Sequence, residues 1–148
     1  AFLAEACPSL DSFARSRGVA LECLPPARPI EVSLDGTMFR RVLDNLVHNA
    51  VEAIERGGKG GGRVELAASR APGSGHVDLR IADDGPGIAP SYIGQIFEPY
   101  WTTRQEGTGL GLAIAKKIVL EHGGSLSVER TGEGGTTFRI ALPVRGSS

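Results

Sequence analysis

The sequence predicts an α+β fold in which helices cover one face of a largely antiparallel sheet. Three observations carry this expectation. Strand-like stretches come in pairs joined by turns, the usual order of antiparallel neighbours. Helical stretches, the clearest at about 36–56 and 110–122, stand between those pairs. The 21 glycines concentrate at 57–62, 73–75, 85–87, 107–111, 123–124 and 132–135, which divides one periodic segment from the next.

Length and composition agree with one soluble domain. At 148 residues the chain can bury a substantial core. Hydrophobic residues make up 41% and charged residues 22%, ordinary for a globular protein. A formal net charge of -1 gives no bulk attraction to nucleic acid or to an anionic membrane. No apolar run approaches a membrane span, and no secretory signal is visible. Cys7 and Cys23 lack metal-ligand spacing and read as two reduced thiols. His48, His76 and His122 are scattered and form no ligand cluster.

The elements follow in order. Residues 2–17 place Phe2, Leu3, Ala6, Leu10, Phe13 and Ala14 roughly on one side of a helix. Proline is tolerated in a first turn, so this helix is expected to begin at Pro8, and Gly18 stops it. Val19 to Leu24 and Ile30 to Leu34 read as short strands, broken apart by Pro25-Pro26. Asp35 is a candidate N-cap for the helix over 36–56. Its Met38, Phe39, Val42, Leu43, Leu46, Val47, Ala50 and Ile54 form one apolar stripe. Arg63 to Arg70 and His76 to Ala82 read as strands about the turn at 71–75. The turn Asp84-Gly85-Pro86-Gly87 comes next, and Pro90 opens a short helix through Ile96. Residues 97–108 show no period and form a loop, anchored at its base by Phe97 and Trp101. Gly123-Gly124 closes the 110–122 helix. Ser125 to Arg130 and Thr136 to Leu142 then form a hairpin about Gly132 to Gly135, and a tail begins at Pro143.

Three places carry chemistry. The run Gly107-Thr108-Gly109-Leu110-Gly111-Leu112 leads straight into a helix. Free backbone N–H groups at a positive dipole end make such a place fit for phosphate. A flexible loop before a buried helix is the plain alternative. The run is neither a Walker loop nor the dinucleotide fingerprint, because the spacing differs. On the 36–56 helix, Asn45 and Asn49 stand four apart and share a face. Asn49 projects at the edge of the apolar stripe, where an amide requires a partner. It either ties down a neighbouring strand or gives its oxygen to Mg²⁺. Glu52, one turn later, could orient water or the metal. At the third place, the alternation Val77, Leu79, Ile81 extends to Asp83, which therefore points to the apolar side while Asp84 points away. A buried carboxylate needs a donor, either a ligand amino group or the following turn. Gly85 and Gly87 would let the backbone pass close to a flat ligand, with Ile88 on its face. Arg104 is the basic residue in the loop, either a phosphate partner or a solvated charge.

Taken together, Asn45-Leu46-Val47-His48-Asn49, Asp83-Asp84-Gly85-Pro86-Gly87-Ile88, Phe97-Glu98-Pro99-Tyr100 and Gly107-Thr108-Gly109-Leu110-Gly111-Leu112 resemble the ATP-binding catalytic domain of bacterial sensor histidine kinases. They match that family's N, G1, F and G2 boxes in order and spacing across residues 45–112. The resemblance implies a Bergerat-type two-layer α/β sandwich. Its mixed, mostly antiparallel five-stranded sheet would be backed by three helices, with a mobile ATP lid at about 97–108. By position it implies that Asn49 holds Mg²⁺ with Asn45 nearby, and that Asp83 accepts from the adenine amino group. Gly85, Gly87 and Ile88 would line the adenine pocket. The amides of Gly109, Leu110 and Gly111 would cradle the phosphates, flanked by Gly107, Thr108 and Leu112. The short lid with Thr102, Thr103 and Arg104 is similar to the nitrogen-regulation group, which usually has Lys where Arg104 stands.

The family's phosphoacceptor histidine, followed by an acidic residue and a proline, does not occur. The chain therefore reads as the catalytic domain of a longer protein. Residues 1–17 would end the connection to a dimerisation and phosphoacceptor domain, 18–143 would bind ATP, and 144–148 would form a tail. Its cofactors would be ATP and Mg²⁺. Its partner would be that other domain, with a response regulator acting indirectly and neither nucleic acid nor membrane touched. The implied location is cytoplasmic, with the membrane attachment of the parent protein left open. The same superfamily includes type II topoisomerases, large heat-shock chaperones and mismatch-repair ATPases, which place a Glu general base where Asn45 stands. An amide cannot serve as that base, which favours phosphotransfer over hydrolysis. A nucleotide-binding module without chemistry and a serine kinase of the anti-sigma type are the remaining alternatives.

Overall fold

The computed structural model describes residues 2–24, 36–58, 61–70, 75–98 and 111–143. Among them the chain forms α1 (Phe2–Ser16), β1 (Val19–Leu24), α2 (Gly36–Arg56), β2 (Gly62–Arg70), β3 (His76–Asp83), α3 (Gly111–Glu121), β4 (Ser125–Gly132) and β5 (Gly135–Pro143). The strands lie in the order β1-β2-β3-β5-β4. β1 and β2 are parallel, and the other neighbours are antiparallel. A parallel neighbour requires a crossover connection, and α2 lies between β1 and β2 in the chain. The sheet is thus mixed and mostly antiparallel, as the resemblance implies. The expected strand at 30–34 and the N-cap Asp35 lie outside the described residues.

Alternation decides which face is covered. Val64 and Leu66 on β2, Leu79 and Ile81 on β3, and Phe138 and Ile140 on β5 form the inner face. They meet the apolar stripe of α2, where Phe39, Val42, Leu43, Leu46, Val47, Ala50, Val51 and Ile54 are buried. Ala6, Leu10 and Ala14 of α1, with Ala115, Ile118 and Val119 of α3, complete the core. On the opposite face Arg80 and Arg139 sit directly across from each other. Like charges opposed this way repel. Each is matched by a carboxylate: Arg139 Nε donates to Asp78 at 2.9 Å and Arg80 Nε to Glu129 at 2.8 Å. A β-bulge at Glu129 brings that residue into the pattern, because Val128 pairs with Phe138 while Arg130 already pairs with Thr137.

Three expectations are corrected. α1 begins at Phe2 and runs through Pro8. Pro8 lies on its exposed side, and burial of Ala6, Leu10 and Ala14 holds the helix across the missing N–H. The segment from Pro90 to Ile96 is a chain of turns rather than a helix. The bonds Tyr92 N–H to Ala89 O and Gln95 N–H to Tyr92 O each span three residues. Cys7 and Cys23 are joined in a disulfide between α1 and β1, with Cα atoms 6.6 Å apart, and are not two separate thiols. Packing of α1 on the edge strand brings the pair together, which sequence spacing does not reveal.

A cross-link over 16 residues removes freedom chiefly from the unfolded chain. Reduction should therefore lower the free energy of unfolding by about 3 kcal/mol. Urea titrations with and without reductant check this, with Cys7→Ser as the control that no longer responds. Superimposable transitions would contradict it.

Candidate functional site

The site forms where the end of β3, the loop 84–88, the tip of the β4–β5 hairpin and the facing side of α2 come together. Asp83 lies on the inner face as its parity predicts, 7% exposed. Its Oδ1 accepts the Gly85 N–H at 2.9 Å, and the backbone N–H of Thr136 also supports the carboxylate. The turn-capping role is therefore realised. It leaves room for a further donor, since a carboxylate offers about four lone-pair sites. Burial pushes the Asp83 carboxyl above its ordinary range, and the two backbone N–H groups partly offset this. Asp84 points out, and its Oδ1 accepts the Arg63 N–H at 2.9 Å.

The loop after Asp83 is pressed between two backbones. A Cβ on Gly85 would lie 3.1 Å from the carbonyl carbon of Ala53 on α2. Gly87 has φ +85°, and a Cβ there would collide with the carbonyl of Gly132 at the hairpin tip. Only glycine satisfies both demands at 87. Ile88 is half-buried against the core, and its N–H donates to Thr131 Oγ1 at 2.8 Å. Thr131 Oγ1 in turn lies 2.9 Å from Thr136 Oγ1. Neither threonine stands out in the sequence, because the bulge at Glu129 conceals their pairing.

On α2, Asn45, Asn49 and Glu52 are half-buried. At spacings of four and three they share one face. Asn45 Nδ2 donates to Gly111 O at 3.1 Å, across 66 residues of chain. This bond fixes the amino end of α3 against α2 and turns the amide oxygen of Asn45 into its remaining polar atom. The expectation gave Asn49 the central place and Asn45 the support; the bond to α3 belongs to Asn45. Gly111 and Leu112 are the first described residues of α3. Phe97 is packed edge-on to Phe138 with centroids 6.1 Å apart, and Lys116 Nζ lies 4.6 Å from its centroid. Phe97 thus packs on the core, while the loop it is expected to anchor lies, beyond residue 98, outside the described residues. Trp101, Thr102, Thr103, Arg104, Gly107, Thr108, Gly109 and Leu110 lie outside the described residues.

Among the described residues no group of three or more His, Cys, Asp or Glu side chains could hold a metal. None of their helices is long and apolar enough to cross a membrane.

Comparison with known proteins agrees with this geometry. Residues 34–146 match the family described as histidine kinase-, DNA gyrase B-, and HSP90-like ATPase. The chain is 37% identical over 142 residues to the C4-dicarboxylate transport sensor protein DctS of Rhodobacter capsulatus, covering 96% of this chain and 21% of that protein. It is also 37% identical to the sensory histidine kinase/phosphatase NtrB of the same species, covering 91% of this chain and 41% of that protein. Among solved structures, full-length ShkA in complex with AMPPNP superimposes with a TM-score of 0.81 at 29% identity, covering 97% of this chain and 29% of that one. The chain therefore spans between a fifth and two fifths of the two curated relatives.

The buried carboxyl has a consequence for stability. Because its folded value lies above the unfolded one, Asp83 disfavours folding at neutral pH, and this penalty fades as pH falls through the raised value toward the ordinary one. Asp83→Asn lacks the penalty. Its melting temperature relative to the parent should be highest near neutral pH, and the difference should shrink on acidification. Thermal melts across pH 7 to 4 check the sign, and a difference that grows with acid would contradict it.

Proposed function

The chain belongs to the histidine kinase-, DNA gyrase B- and HSP90-like ATPase family, and we propose that it is the ATP-binding catalytic domain of a sensor histidine kinase. It binds Mg·ATP and passes the γ-phosphoryl group to a histidine on a separate dimerisation domain of the same protein, from which a response regulator takes it. The observation that carries this reading is the Asn45–Gly111 bond. It brings an amide-bearing helix face against a glycine-led helix amino end, within one site that also holds the buried Asp83. An adenine nucleotide needs these three parts together: an acceptor for its amino group, oxygen ligands for its metal, and N–H donors for its phosphates. The AMPPNP bound to the structural relative supports the nucleotide class.

In this reading Asp83 accepts from the adenine amino group, and Gly85, Gly87 and Ile88 line the base. Gly109, Leu110 and Gly111 offer their N–H groups to the phosphates, with Gly107, Thr108 and Leu112 beside them. Thr102, Thr103 and Arg104 approach from the lid. The donor chemistry fits Mg²⁺, a hard cation that takes oxygen ligands and is held by one or two side chains plus phosphate. Asn49 would supply one amide oxygen and Asn45 another, with Glu52 orienting water. When bound, the ion neutralises charge on the transferring group. Asn45 keeps its Nδ2 on Gly111 and cannot take a proton from water, so a hydrolytic reaction lacks its base at this position. A neutral imidazole needs little such help, because its ring nitrogen carries a free lone pair. Phosphotransfer therefore accounts for the site better than hydrolysis. The relatives extend well beyond the matched region, which supports placing the dimerisation domain, joined through residues 1–17, in the same parent protein. ATP as substrate puts the domain in the cytoplasm.

The decisive experiment incubates the chain with γ-labelled ATP and a separately prepared dimerisation domain. An acid-labile phosphohistidine on that domain is expected, with very slow phosphate release by the chain alone. Rapid release with an unlabelled acceptor would point to a hydrolase instead. Two variants test the roles. Asp83→Asn should weaken ATP binding by about 1–3 kcal/mol in calorimetry, and equal affinity would remove Asp83 from the base pocket. In Asn49→Ala the gain in nucleotide affinity on adding Mg²⁺ should largely vanish; a gain equal to the parent's would assign the metal elsewhere.

A further inference from the structure

Alternation along β4 from Leu126 through Val128 would bring Arg130 to the inner face, opposite Thr136. The bulge at Glu129 shifts the pairing by one residue, and Thr131 stands opposite Thr136 instead. Thr131 Oγ1 accepts the Ile88 N–H at 2.8 Å and lies 2.9 Å from Thr136 Oγ1. Thr136, 4% exposed, is the cross-strand partner of Asp83. The two hydroxyls thus form a short relay. One end holds the far side of the 84–88 loop, and the other is built into the strand position facing the buried carboxylate. A bulge that re-aims a side chain beside a site is a device that sheets use where geometry must be set locally.

We infer that Thr131 is a positioning residue for the purine base: it fixes Ile88 relative to Asp83, and so sets how strictly the pocket separates adenine nucleotides from those lacking a 6-amino group. The inference rests on the proposed ATP site. Thr131 itself does not touch the base. It holds the wall on which the base packs at a set distance from the acceptor that reads the amino group. Valine keeps the shape of threonine but removes the acceptor, leaving the Ile88 N–H and the Thr136 hydroxyl without their shared partner. Serine keeps the hydroxyl.

The test uses the 148-residue chain as parent, with Thr131→Val and Thr131→Ser. Binding of ATP and of inosine triphosphate is followed by nuclear magnetic resonance shift titration, which reaches weak affinities, beside thermal melts. Thr131→Val should lose ATP affinity about tenfold and inosine triphosphate affinity less than about threefold, so that the ratio between the two contracts. Thr131→Ser should stay within about threefold of the parent for both. Unchanged ATP binding in Thr131→Val would overturn the inference, as would an equal loss of both nucleotides or a serine variant that behaves like valine. If Thr131→Val does not fold, Thr131→Ala replaces it, and failure of both to fold makes the hydroxyl a structural requirement and ends the inference. A parent that binds no nucleotide overturns the ATP site itself. A parent that binds ATP with its valine variant unaltered overturns only the role of Thr131.

Discussion

The structure around the site depends on one buried carboxylate. Asp83 ends the middle strand of five and is almost fully withdrawn from water. A charge so placed must be met by donors or be neutralised by taking up a proton. The chain meets it with backbone rather than with a cation, through the N–H groups of Gly85 and Thr136. That choice brings the loop after β3 and the start of β5 within hydrogen-bonding reach of the same group. It also explains why the neighbours are glycines. A side chain on Gly85 would press on Ala53 and on the carboxylate itself, and one on Gly135 would collide with the Asp83 carbonyl. Backbone donors carry no net charge, so the carboxylate keeps an appetite for a further donor that a salt bridge to arginine would have satisfied.

Strong periodicity made most of the fold legible. The stripe of α2, the strict alternation of β3 and the glycine stops at Gly57 and Gly123 all have local causes, and their elements lie within a residue or two of the expected bounds. The inward parity of Asp83 belongs to the same class. What could not be read depends on residues far apart in sequence. Which of two asparagines on one helix face meets α3 is decided by an approach across 66 residues, and it is Asn45. The Cys7–Cys23 link needs α1 to lie along an edge strand. Pro8 inside α1 shows the core outweighing a local preference, because Leu10 and Ala14 on the opposite side bury fully. At 90–96 the reverse holds: a proline start signal meets a segment with Ile96 as its one deeply buried side chain, and single turns form in place of a helix.

The two faces of the sheet divide the labour. Among the described residues the inner face is apolar except where Asp83, Thr131 and Thr136 interrupt it, so polar groups there are few and individually supported. The outer face sets Arg80 against Arg139 and balances them with Asp78 and Glu129. The Arg80–Glu129 pair is exposed and contributes little to stability, whereas Asp78 is buried between the two guanidiniums. Their effect is to keep that face hydrated, so that nothing about it invites a second layer of structure.

Glu129 joins the two faces. It supplies the outer carboxylate for Arg80, and as the extra residue of the bulge it decides which side chain reaches Thr136 inside. The hairpin is therefore fixed in phase as well as in composition. Any residue at 129 that tolerates the bulge keeps the pairing, whereas closing the bulge with every residue in place would slip β4 by one and turn the guanidinium of Arg130 inward, opposite Thr136. Evolutionary drift in this segment is consequently freer to exchange letters than to slip the pairing, and a hairpin grafted here from another protein would have to match its phase before its chemistry.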